Sequence, residues 1–250
     1  MESVSETTSP GGEKTFTIVS YNIRHGENLN GVFDLRAPGR VVMQATPRFV
    51  GFQEVDQLTT RVGGADTCAL VAETTGLHAT FAKAMDYAGG EYGNALFSRE
   101  VPLNVRRIPL PGAEPRVLLL CEFDDCWVGV THLAVDSDKA RLKSIGIIRD
   151  AVAACGDKPV FLMGDWNAPP DSEVLTGLRG FLTILSDETT ATLQKLDFDP
   201  SKRHNPAHCI DYIAIDTAHL AHYVLRDCHV IEERRVSDHA PQMIEVAPRA

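Results

Sequence analysis

The sequence predicts an α/β fold: two mixed, mainly antiparallel β-sheets packed face to face with helices on the outside, a four-layer αββα sandwich. Short β-rich runs recur from one end of the chain to the other, amphipathic helical segments fall between some of them, and neither an internal repeat nor a low-complexity linker interrupts the series. Over 250 residues, 44% of them hydrophobic, there is enough apolar material for one sizeable core.

Taken in order, the expected strands cover Thr15 to Tyr21, Phe49 to Gln53, Ala79 to Lys83, Asn94 to Ser98 and Val105 to Pro109. They continue with Arg116 to Phe123, Cys126 to His132, Pro159 to Met163, Cys209 to Ile215 and Met243 to Val246. Each is rich in β-branched or aromatic residues and is bounded by turn formers. Helices are expected at Thr67 to Thr75, Asp138 to Ala154 and Glu173 to Leu178. In the second of these, Leu142, Ile145, Ile148 and Val152 recur at helical spacing. Asp136, Ser137 or Asp138 can cap its start, and Gly156 its end. Between Asp34 and Thr46 a helix must begin after Pro38 or be broken by it. The organisation expected is a flexible leader over residues 1–14, rich in Ser, Thr, Glu and Gly, and a single domain over residues 15–250.

A formal net charge of −10 argues against the broad electrostatic attraction on which non-specific DNA binders rely. It leaves phosphate substrates open, because screening makes a bound cation and nearby arginines count for more than remote carboxylates. The N-terminus lacks the basic start and apolar run of a secretory signal, and no apolar stretch is long enough to span a bilayer. A soluble, intracellular, cytoplasmic protein without stable membrane insertion is the expectation. Six cysteines without CxxC or zinc-finger spacing read as reduced, mostly buried thiols. Cys121 and Cys126 flank a hairpin turn at Asp124-Asp125 but do not stand opposite each other, which disfavours a bridge.

The chemistry concentrates at strand ends. The candidates are Asn22 in Ser20-Tyr21-Asn22-Ile23-Arg24-His25-Gly26, Glu54 in Gln53-Glu54-Val55, His132 in Thr131-His132-Leu133, Asp165 and Asn167 in Gly164-Asp165-Trp166-Asn167, Asp211 in Ile210-Asp211-Tyr212, and the pair Asp238-His239. A carboxylate closing an apolar strand, as Glu54 does after Phe49-Val50-Gly51-Phe52, is oddly placed for solubility and well placed for a cation. Asp165 and Asn167 share one face if their segment is extended. Hard oxygen ligands suit Mg²⁺ or Mn²⁺, and a histidine titrating near neutrality can handle the proton of an attacking water.

In this order, and from Asn22 to His239, these motifs resemble the endonuclease/exonuclease/phosphatase superfamily, with Gly164-Asp165-Trp166-Asn167 and Ser237-Asp238-His239 the most specific marks. The resemblance implies Glu54 as the principal metal ligand, with Asn22 and Asp238 beside it or reaching the cation through water. It makes His239 a general base or oxyanion stabiliser, oriented by Asp211. Asp165 then orients or deprotonates the water, Asn167 donates to a phosphate oxygen, and His132 donates a hydrogen bond or proton to the transition state. Asn94 is assigned to substrate phosphate. Arg24 and His132 depart from the abasic-site endonucleases and point to the histidine-using, deoxyribonuclease-like branch. The implied activity is metal-dependent phosphoesterase, a phosphodiesterase or nuclease-like enzyme acting by in-line attack of water on a phosphate ester such as a nucleic acid, phospholipid or inositol phosphate. A phosphomonoesterase acting on a small phosphorylated metabolite and a non-catalytic scaffold are the alternatives, and no partner protein is indicated.

Other residues read as structural. Trp166 is expected to pack under its loop. His25, His78, His204, His208, His219, His222 and His229 carry no motif and are left outside the site. Substrate choice is assigned to the loops Gly26 to Asp34, Ala84 to Glu91 and Leu193 to His208.

Overall fold

The computed structural model describes residues 15–194 and 208–249. The 1–14 leader and His204 lie outside the described residues, as does all of the Leu193 to His208 loop except its ends.

In chain order the first strands and helices are β1 (Phe16–Asn22), α1 (Ala37–Val42), β2 (Phe49–Gln57), α2 (Thr67–Thr75), β3 (His78–Tyr87), β4 (Gly90–Ser98), β5 (Asn104–Leu110), β6 (Arg116–Glu122) and β7 (Trp127–His132). They are followed by α3 (Asp138–Ala153), β8 (Val160–Asp165), α4 (Glu173–Arg179), β9 (Leu182–Ile184), β10 (Asp211–Asp216), β11 (Tyr223–Val230) and β12 (Gln242–Pro248). The strands form two six-stranded sheets, ordered β11-β12-β1-β2-β4-β3 and β5-β6-β7-β8-β10-β9. Only β1–β2 and β7–β8 pair in parallel, so both sheets are mixed and mainly antiparallel, as expected.

Three apolar layers hold the sandwich together. Ile18, Phe49, Leu96 and Ile244 of the first sheet interdigitate with Val128, Phe161, Met163 and Ile213 of the second. Val41 and Val71 of α1 and α2 cover the outer face of the first sheet, and Ile148, Val152 and Leu175 of α3 and α4 cover that of the second. Burying each such side chain contributes about 1.5–3 kcal/mol. The sheets pack tightly at Gly51, where an added Cβ would lie 2.5 Å from the Met163 sulfur. No helix of the described residues is long and apolar enough to cross a membrane.

The helix ends follow the residues that cap them. Asp66 accepts from the Ala69 amide ahead of α2, Ser137 from Ala140 ahead of α3, and Ser172 from Leu175 ahead of α4. α1 corrects the expectation at Pro38: the helix begins at Ala37 and the proline lies within its first turn, where its missing N–H has no intrahelical partner to lose. The strand reading missed β9 and β11. β9 has three residues, and β11 is an edge strand whose Arg226 and Asp227 face solvent at a register shift between Leu225 and Asp227, so neither shows an alternating or continuous apolar run. β2 also continues past its expected end at Gln53 as far as Gln57. All six cysteines are free and five are buried.

Candidate active site

Sheet register brings the chemistry together. His132 ends β7 beside Asp165 at the end of β8, and Asp211 opens β10 directly opposite Asp165. Asn22 closes β1 next to β2. The loop before β12 is pinned to that strand end because the Ser237 hydroxyl donates to the Asn22 carbonyl oxygen at 2.8 Å and accepts from the His239 amide at 3.2 Å. Segments more than two hundred residues apart in the chain thus meet at one end of the sandwich.

Glu54 reaches the site through a bulge. Its φ is 58°, the left-handed region, at a register shift between Phe52 and Val55. Such strain persists where surrounding structure holds it, and bulges next to active sites re-aim side chains. The Asn22 amide donates to Glu54 Oε1 and to Asp165 Oδ2, both at 3.0 Å. His25 Nδ1 lies 3.7 Å from Glu54 Oε2, and its Nε2 is 3.0 Å from Glu27. His25, left outside the site by the sequence reading, therefore braces the principal candidate ligand.

Asp165 is the hub. His132 Nε2 and His239 Nε2 stand 3.5 and 3.7 Å from its Oδ2, and the Asn167 amide nitrogen donates to its Oδ1 at 2.9 Å. That local bond curls the segment: Asn167 has φ 49°, so it meets Asp165 through a turn and not along an extended strand. The Asn167 side-chain nitrogen contacts His132 Nε2 and donates to the Leu133 carbonyl, each at 3.0 Å, which orients the imidazole. His239 Nδ1 is 2.8 Å from Asp211 Oδ2. Trp166 packs beneath, fully buried and stacked on Tyr212 at 4.9 Å.

A cavity of about 360 Å³ opens over Glu54, His132, Asp165, Asn167 and His239. Asp238 does not line this cavity; it is 3.7 Å from the Arg24 Nε and 31% exposed. Asn94 is set apart: it is buried and its amide donates to the Val117 carbonyl at 2.9 Å, tying β4 to β6. The remaining wall includes Arg61, Tyr87, Tyr92, Glu114 and Arg116, of which the sequence reading had touched only Tyr87, within a loop assigned to substrate choice. Arg116 could have been found by the argument used for Glu54, as a charge at the end of the apolar strand Val117-Leu118-Leu119-Leu120. Of the three loops assigned to substrate choice, Met85, Tyr87 and Leu193 line the cavity.

Burial and charge set the protonation states. Burial would raise the Glu54 carboxyl, but the His25 contact and the Asn22 amide hold it below the usual carboxylate range. Burial, followed by the charge of Arg116, pushes His132 down to about 3, so it is neutral at pH 7. Burial and the neighbouring Asp211 raise Asp165 to about 7. His239 is raised to about 10, because the charge and hydrogen bond of Asp211 and the charge of Asp165 outweigh burial, which acts in the opposite direction. The resting site is an Asp211–imidazolium pair beside an aspartate poised near neutrality.

A hard divalent cation fits the Glu54 end. An ionised carboxylate facing the cavity supplies the oxygen donors that Mg²⁺ and Mn²⁺ prefer, while Asn22 turns its side-chain nitrogen to that carboxylate and its Oδ1 to the Arg24 backbone amide at 3.1 Å. Asp165, Asp211 and His239 also place ligand atoms within 4.8 Å of one another, yet His239 Nδ1 and Asp211 are already joined by a hydrogen bond, the arrangement that fixes a proton-handling imidazole.

The Endonuclease/Exonuclease/phosphatase family model matches residues 19–239, and the chain belongs to that family, whose members are hydrolases of phosphate esters. Among solved structures it is similar to a functionally unknown conserved protein from Enterococcus faecalis, with 19% identity and a TM-score of 0.75 over 93% of this chain and 100% of that one. It is also similar to a mannosyl-6-phosphatase of Bacteroides thetaiotaomicron, with 17% identity and a TM-score of 0.72 over 92% and 99%. A third is D. rerio TDP2 complexed with a single-strand DNA product, with 16% identity and a TM-score of 0.67 over 94% and 99%. At these identities the likeness is one of fold. No curated protein matches the chain by sequence.

Proposed function

We propose that the chain is a divalent-metal-dependent phosphodiesterase that hydrolyses its ester by in-line attack of water, with no covalent enzyme intermediate. The observation that carries this reading is the convergence of His132 and His239 on Asp165 within 3.7 Å, with the Glu54 carboxylate one Asn22 side chain away. Mg²⁺ or Mn²⁺ at Glu54, with Asn22 and Asp238 acting through water, would supply positive charge to the phosphoryl oxygens and the departing alkoxide.

The protein's own groups divide the remaining work. Asp165, raised to about 7, is matched to accept the proton of the attacking water near neutral pH. His239, held as imidazolium by Asp211, offers Nε2–H to the oxyanion that builds in the transition state. This assigns the base to Asp165 and the cationic stabiliser to His239. Neutral His132, whose Nε2 accepts from the Asn167 side-chain nitrogen, holds that amide in place beside Asp165. An intracellular setting, the cytoplasm, accords with six unpaired cysteines.

Turnover of bis-p-nitrophenyl phosphate with added Mg²⁺ or Mn²⁺ tests the reading. Wild-type activity should vanish in EDTA and return with metal, and Asp165→Ala and His239→Ala should each lose at least about 10²-fold in kcat while remaining folded. Metal-independent turnover, or wild-type rates in Asp165→Ala, would overturn it. A phosphomonoesterase is the second reading, favoured by a compact cavity walled with arginine and tyrosine. Release of inorganic phosphate from a monoester, with no diester cleavage, would select it.

A further inference from the structure

The cavity wall facing the catalytic cluster holds a buried cation with an incomplete set of partners. Arg116 opens β6, is 5% exposed and lines the cavity with His132, Asp165, Asn167 and His239. Its Nη1 donates to Glu114, a side chain 43% exposed to solvent. Its Nε–H is buried and finds no acceptor among the described residues. A guanidinium presents five donors in a planar fork, and a buried polar group is normally matched by an acceptor. An unmatched one at the wall of a cavity points to something that enters the cavity.

Its position says what that is. β6 runs antiparallel to β7 with Leu118 opposite Thr131, so the start of β6 lies beside the end of β7, where His132 sits. The charge of Arg116 is also the strongest electrostatic influence on that imidazole. In the same wall, Arg61 is clamped by both oxygens of Asp56 at 2.8 and 2.9 Å, with its guanidinium 4.5 Å over the Tyr87 ring. Two arginines, each steadied by its own carboxylate, therefore flank the space above the catalytic groups.

We propose that Arg116 is a substrate-binding residue whose guanidinium takes an anionic phosphoryl oxygen of the ester, with Arg61 as the second cation of the same wall. This rests on the phosphoesterase reading and narrows its substrate class: the ester places a charged phosphoryl oxygen, of the scissile group or of a second phosphate, between His132 and Arg116. Glu114 holds the fork in place beside His132.

The test uses metal-free protein and calorimetric binding of two probes, inorganic phosphate and methylenediphosphonate, to wild type, Arg116→Gln and Arg116→Lys. A single hydrogen bond to a charged group corresponds to roughly 10- to 100-fold in affinity, so Arg116→Gln should lose about that much. Arg116→Lys should recover part of it, since a point charge replaces the fork. Loss for both probes identifies the scissile phosphoryl group as the source of the oxygen, and loss for the diphosphonate alone identifies a second phosphate. In the same variant, KM for bis-p-nitrophenyl phosphate should rise by a similar factor, with a smaller change in kcat. Wild-type affinity of Arg116→Gln for both probes would overturn the proposal. If thermal melting shows that this variant does not fold, wild-type affinity in Arg116→Lys serves the same purpose. Because the binding arm needs no turnover, failure of the phosphoesterase reading would show separately, as an inactive wild type.

Discussion

Replacing Asp211 by asparagine should change the protonation of His239 while keeping its geometry. The Asp211 carboxylate is 2.8 Å from His239 Nδ1 and is the leading cause that raises the imidazole from 6.5 to about 10. At roughly 1.4 kcal/mol per pH unit, that rise corresponds to about 5 kcal/mol in favour of the imidazolium. An asparagine oxygen can still accept the Nδ1 proton but carries no charge, and burial of His239, 5% exposed, continues to disfavour the cation. His239 in Asp211→Asn should therefore titrate near or below 6.5, whereas in the wild type it should stay protonated at pH 9. Long-range ¹H–¹⁵N spectra of the imidazole nitrogens in metal-free protein read this directly. Turnover at pH 7 should fall by about 10²-fold or more, because a neutral ring no longer offers a positive charge to the transition state. An imidazole that still titrates near 10 in the variant, or near 6.5 in the wild type, would refute the reasoning.

Two further outcomes test other parts of the site. Because His239 has a folded-state value above its unfolded one, its stabilisation is complete below about 6.5 and is lost as pH rises through about 10. The melting temperature of the metal-free wild type should thus fall between pH 7 and 9, and Asp211→Asn should flatten that slope; equal slopes in scanning calorimetry would contradict the pairing. Gly164→Ala should destabilise by about 3 kcal/mol or more, since its Cβ would fall 1.9 Å from the Thr131 carbonyl oxygen, between β7 and β8. A denaturation midpoint unchanged from wild type would show that the strands can part there at little cost.

Much of this molecule is legible in its sequence, for reasons that are local. The run Val117-Leu118-Leu119-Leu120 reads as a strand because its side chains are apolar on both faces, and both faces are covered in the fold. α3 reads as a helix because Leu142, Ile145, Ile148 and Val152 repeat at its period and Ser137 caps it. β9 and β11 escaped notice because a three-residue strand and a solvent-facing edge strand carry no such pattern. In the site, Asp165, Asn167, Asp211, Asp238 and His239 were visible as polar residues at strand ends. Asn94 came only from the family resemblance, and its side chain turns to the Val117 carbonyl, a direction that nothing in its neighbours along the chain signals.

By itself, then, the sequence determined most of the strand and helix content and the motifs of a phosphoesterase family, because residue type, period and capping act over a few positions. Only the tertiary structure decided that Glu54 sits on a strained bulge against His25, that Arg116 stands beside His132, and that Asp165, Asp211 and His239 converge at one end of the sandwich. Those outcomes depend on sheet register and burial, which join residues distant in the chain, and a pKa follows the charges and solvent around a group, whatever its neighbours in sequence.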